Sequence, residues 1–110
     1  MSNLTAFLIL AIAALLEAGG DAVVRTGLHS NAAAYRVGLI VFGGLVLTAY
    51  GVVVNAPPWD FGRLLGVYVT LFFLAAQIIN LFAFHVKPGA PVFVGGALII
   101  VGGLLMTLWS

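Results

Sequence analysis

The chain has no cysteine, and among its 110 residues only four are Lys or Arg and three are Asp or Glu. Lack of cysteine excludes disulfides, thiol catalysis and thiolate metal sites. Scarcity of charge, 6% against 64% hydrophobic residues, lies far outside the composition of a soluble globular domain and predicts an integral membrane protein of one domain. A net charge of +1 leaves no basic stripe of the kind nucleic acid requires. The first apolar segment has no basic flank and no convincing cleavage pattern, so it is read as a retained helix and not as a signal peptide.

What the sequence does contain is apolar runs of spanning length. A bilayer core about 30 Å thick takes roughly 20 helical residues, and four such segments fit, at about residues 4–26, 32–54, 61–84 and 91–109. The runs are continuous, whereas strands of a membrane barrel alternate over about ten residues, so the predicted fold is all-α, a bundle of four transmembrane helices. Asn3 is positioned to cap helix 1, and Thr26 to Asn31 reads as a turn. Asn55-Ala56-Pro57-Pro58 stops helix 2, because proline cannot continue the hydrogen-bond ladder. Asp60 suits the cap of helix 3, Pro91 the first turn of helix 4, and Trp59 and Trp109 are interfacial anchors at the headgroup level. Arg25, Arg36 and Lys87 fall on one side with Arg63 on the other, a small bias that favours both termini outside and leaves insertion in both orientations open.

Against this background the stretch from Leu15 to Arg25 stands apart. Glu17, Asp21 and Arg25 follow one another at four-residue intervals and share one helix face. An ionised group inside a bilayer costs at least ~2.5 to 3.5 kcal/mol unless it is paired or meets water, which makes such a residue a functional candidate. Glu17 is therefore read as a carboxylate that holds either a proton or a cationic substrate, the chemistry of an antiporter. The alternative is a structural ion cluster in which Arg25 neutralises Glu17 through Asp21. For Asp21 the pair with Arg25, acid one turn before base, is the simpler role, although it is also a candidate for proton and substrate binding.

On helix 3, Thr70, Gln77 and Asn80 form a polar stripe that either lines a substrate path or makes interhelical hydrogen bonds worth about 0.6 to 2 kcal/mol. Tyr50 and Tyr68 can face a cation with their rings or act as interface anchors. His29 and His85 sit in turns with no third ligand nearby, so neither a metal nor a cofactor is expected. Ala14, Ala18 and Ala22 make a smooth groove on helix 1, and Gly62 and Gly66 a short step on helix 3. The glycine pairs Gly95-Gly96 and Gly102-Gly103 leave one side of helix 4 nearly bare, which points to a dimer seam with a second copy. Nothing gathers a nucleophile with a base, so an enzymatic role ranks last.

The pattern resembles the small multidrug resistance family of the drug/metabolite transporter superfamily, including its YnfA-like branch. Three places carry the resemblance: Glu17 with Gly20 and Arg25, the stretch Gly66-Val67-Tyr68-Val69, and the glycine-spaced run from Gly96 to Leu105. The resemblance implies a proton-coupled exporter of small organic cations or guanidinium-type compounds in the cell's inner membrane. It also implies a dimer, antiparallel in the best-known members, in which the glutamates of both copies share one site. The chain departs from the family in its second acid, Asp21, in the absence of the helix 3 tryptophan typical of drug exporters, and in a longer region between helices 3 and 4 than in YnfA-like proteins. Two other roles stay open at this point: a subunit of a lipid-linked sugar flippase, and a non-transporting membrane subunit bound to a larger partner, which leaves a heterodimer possible.

Overall fold

A computed structural model describes residues 2–109. It contains four helices, α1 (Asn3–Leu28), α2 (Ala33–Val54), α3 (Phe61–Ala83) and α4 (Ala90–Leu108), all long and apolar enough to cross a membrane. That is the make-up of a multi-pass membrane protein.

The helix ends follow local chemistry. The residue that caps α1 is Ser2, whose hydroxyl oxygen accepts from the Thr5 amide at 3.1 Å; Asn3, expected in that role, is instead the first helical residue. At its other end α1 runs on to Leu28, through part of the expected turn. There Thr26 donates its hydroxyl to the Ala22 carbonyl at 2.8 Å, and Gly27 lies so close to α2 that a Cβ would stand 2.7 Å from that of Leu39. Asp60 caps α3 as anticipated, accepting from the Arg63 amide at 3.1 Å. After Ala83 and the cap residue Phe84, His85 takes a left-handed conformation (φ 57°), and the Val86 amide donates back to the Asn80 carbonyl at 3.1 Å. Pro91 falls in the first turn of α4, where its missing N–H has no helical partner to lose.

Phe7 meets Trp59 near the start of α1, and Arg25 meets Phe84 near its end, so α1 and α3 run the same way. The α2 helix is antiparallel to α1, since Gly20 faces Leu47 and Gly27 faces Leu39. The α4 helix is antiparallel to α3, with Arg63 Nε donating to the Met106 carbonyl at 3.3 Å. Arg25, Arg36 and Lys87 therefore lie toward one end of the molecule and Arg63 toward the other.

The helices do not close into a bundle. The α1 helix packs on α2 and on α3, and α3 on α4, in the order α2, α1, α3, α4, giving a slab of 50 × 34 × 19 Å. In lipid, hiding one leucine behind another gains little, because hydrocarbon tails are as apolar as the side chains. Helices come together where small residues let backbones approach. Along α1 these are Ala6, Ala13, Ala14 and Ala18, which join Leu10 and, on α3, Leu64, Val67, Tyr68 and Ala75 in the core. Val54 at the end of α2 completes that core, so the three helices converge at one end.

The seam between α1 and α2 is drawn tightest at Gly43, where an added Cβ would overlap Val24 and stand 3.0 Å from the Gly20 carbonyl oxygen. Its neighbour Gly44 has nothing within 4 Å. Gly43→Val is expected to destabilise the protein by about 1 to 3 kcal/mol through overpacking against backbone, while Gly44→Val stays within about 0.5 kcal/mol of wild type. Equilibrium unfolding in mixed micelles checks the pair.

Candidate functional site

The alanines of α1 bring α3 close enough for side chains of three helices to meet at Glu17. Tyr68, only 3% exposed, donates its hydroxyl to Glu17 Oε1 at 2.9 Å. Tyr50 reaches across from α2, its ring 5.8 Å from that of Tyr68. On the other side of Tyr68, Phe72 stacks one turn further along α3 at 6.2 Å. Glu17 itself is half-buried. Its surroundings are thus two phenols and an aromatic ring, with a neutral hydroxyl as the hydrogen-bond donor. A neutral donor orients a carboxylate without cancelling its charge.

One turn beyond Glu17 an open cleft of about 470 Å³ separates α1 from α3. Asp21 and Arg25 line it from α1, and Phe72, Gln77 and Asn80 from α3, while Phe84 lies where α3 ends. The Arg25 guanidinium stands over the Phe84 ring, 6.0 Å from its centroid. Small side chains, Ala18 and Ala22 on one wall and Ala76 on the other, keep the helices near one another and leave the space between the polar groups open.

The residues singled out in the sequence thus separate into groups. Glu17, Tyr50 and Tyr68 come together at the meeting of three helices. Asp21, Arg25, Gln77 and Asn80 come together in the adjoining cleft. Thr70 is turned away from both, donating its hydroxyl to the Ile99 carbonyl of α4 at 3.2 Å, an interhelical hydrogen bond. The glycine pairs of α4 are divided between two faces. Gly96 and Gly103 are buried against Phe73 and Thr70 of the same chain, and an added Cβ at either would overlap those side chains. Gly95 and Gly102 have nothing within 4 Å. Among the described residues no three His, Cys, Asp or Glu side chains gather in a way that would hold a metal ion.

Phe72 and Phe84 were not singled out from the sequence. Their signal was present in the spacing, since Tyr68, Phe72, Ala76, Asn80 and Phe84 recur every fourth residue along α3 and its cap, a stripe on one side of the helix. In an apolar segment that stripe is hidden among leucines and phenylalanines with the same periodicity.

Comparison of the chain with protein-family models, curated proteins and solved structures finds no match.

The Tyr68 hydroxyl is the firmest tie on the Glu17 carboxylate. Tyr68→Phe leaves that carboxylate without the donor and is expected to cost about 1 to 3 kcal/mol of stability at a pH where Glu17 is ionised. Tyr50→Phe, which leaves the 2.9 Å bond in place, is expected to cost less than half as much. Unfolding of the two variants, measured in parallel in the same micelles, separates the roles of the two phenols.

Proposed function

We propose that the chain is a proton-coupled secondary transporter that exports small organic cations or guanidinium-type compounds, as its resemblance to the small multidrug resistance family implies. The observation that carries this reading is the setting of Glu17. In a chain with four helices of membrane-spanning length, an acid at the junction of three of them is held by a phenol at 2.9 Å. A guanidinium in that place would neutralise the carboxylate permanently. A phenol leaves its charge to be balanced by whatever enters, a proton at one moment and a cation at another. Return of the site empty and ionised is the costly state, and that cost couples the two movements.

The working unit in this reading is a homodimer in the cell's inner membrane. A row of four helices encloses little volume by itself, and a second copy laid against the open side of α1 and α3 would cover the cleft. The smooth face of α4 at Gly95 and Gly102 is the seam this proposal uses, because Gly96 and Gly103 are already occupied within the chain. Tyr50, Gln77 and Asn80 line the path, while Thr70 has a structural role.

The test is Glu17→Gln in proteoliposomes. Glutamine keeps an acceptor oxygen for Tyr68, so the fold is retained while the exchangeable proton is lost. Efflux of a small cation driven by a pH gradient is expected to fall to the level of protein-free vesicles. Undiminished export by the variant removes the proposal, and copurification of a fixed larger partner without any effect of the substitution favours an assembly subunit.

A further inference from the structure

The cleft beside Glu17 carries charges of both signs. Asp21 and Arg25 stand on successive turns of α1, about 6 Å apart along the helix axis at 1.5 Å per residue, and both line the space. Opposite them, Gln77 and Asn80 are three residues apart on one side of α3, and each carboxamide can donate as well as accept. The walls between these groups are small or aromatic, with Phe72 toward Glu17 and Phe84 beneath the Arg25 guanidinium. At about 470 Å³ the space falls within the range of small-molecule sites, roughly 300 to 1,000 Å³.

For a ligand with only a positive charge this lining is a poor match. A cation drawn to Asp21 comes to rest beside Arg25, whose like charge opposes it. A ligand that carries an ammonium at one end and a carboxylate at the other meets an opposite charge at each. The two side-chain charges sum to zero, so a neutral zwitterion leaves the cleft neutral, which matters in a segment of membrane-spanning length where every uncompensated charge is costly. Glu17, one turn away, then remains the one acid whose proton is free to exchange.

We propose that the cleft binds small zwitterions of the ω-amino acid type, with Asp21 and the carboxamide oxygens facing the ammonium and Arg25 with the carboxamide N–H groups facing the carboxylate. This goes beyond the transport reading, because it assigns the cleft a ligand class other than the cation exchanged at Glu17, and binding is measurable apart from transport.

The experiment uses the full chain in detergent and two ligands that share a four-carbon chain and an ammonium group, δ-aminovalerate with a terminal carboxylate and n-butylamine without one. Calorimetric titration of the wild type is expected to show δ-aminovalerate bound about tenfold or more tightly, the scale of one charge-assisted hydrogen bond. Arg25→Gln is expected to abolish that preference and leave the affinity for n-butylamine unchanged or raised. Asp21→Asn is expected to weaken both ligands. Both side chains are exposed at the cleft, so the substitutions leave the packed core untouched, and an unchanged elution profile of each variant confirms that the fold persists. Equal binding of the two ligands, tighter binding of n-butylamine, failure of δ-aminovalerate to bind, or a preference that survives Arg25→Gln each overturns the inference. If export depends on Glu17 and the preference is absent, only the zwitterion is lost. If the preference is present and Glu17→Gln exports normally, it is the transport reading that fails.

Discussion

Everything distinctive about this protein turns on one hydrogen bond, from the Tyr68 hydroxyl of α3 to the Glu17 carboxylate of α1, 2.9 Å long. A carboxylate in an apolar helix demands either a partner or water, and each kind of partner has a different consequence. A cationic partner would satisfy it completely and close the site. The phenol satisfies its geometry and leaves its charge uncompensated. That single difference is what the transport proposal rests on.

Much of the packing can be understood as what is needed to bring that bond about. Tyr68 is 3% exposed because α3 lies close along α1, and it can do so because α1 presents the small side chains Ala18 and Ala22 toward α3, opposite Ala76. Glycines do the same for the outer helices: Gly20, Gly27 and Gly43 draw α2 against α1, while Gly66, Gly96 and Gly103 draw α4 against α3. The result is a row, with the seam between α1 and α3 at its middle and the acids on that seam. Beyond Glu17 the seam opens, and Asp21, Arg25, Gln77 and Asn80 gather where the two helices part.

The same arrangement explains why Arg25 and Thr70, both attractive as site residues in the linear sequence, differ in what they do. Arg25 lies at the wide end of the seam, where its long side chain spans to Phe84 and stays beside the cleft. Thr70 faces the opposite side of α3 from the acids, toward α4, and its hydroxyl is used on the Ile99 carbonyl. Arg25 of α1 thus lines the cleft while Thr70 of α3 ties α3 to α4.

What could be read directly from the sequence was whatever depends on a single helix. Apolar runs of spanning length determine that there are four helices; Pro57, Pro58 and Pro91 mark their limits, and the four-residue spacing of Glu17, Asp21 and Arg25 places them on one face. Hydrogen bonds within a helix and the hydropathy of a segment are local quantities, which is why these features were legible. Even here short-range competition shifted details, as when Ser2 and not Asn3 took the cap of α1. Tertiary structure alone decided that Tyr68 holds Glu17, that Thr70 faces α4, that one glycine of each pair on α4 is filled from within the chain, and that the helices form a row. Those outcomes depend on the rotation of each helix about its axis and its register against the next. In an apolar chain nearly every face is equally greasy, so hydropathy does not choose among rotations; the shapes of alanines, glycines and aromatics meeting across the seams do.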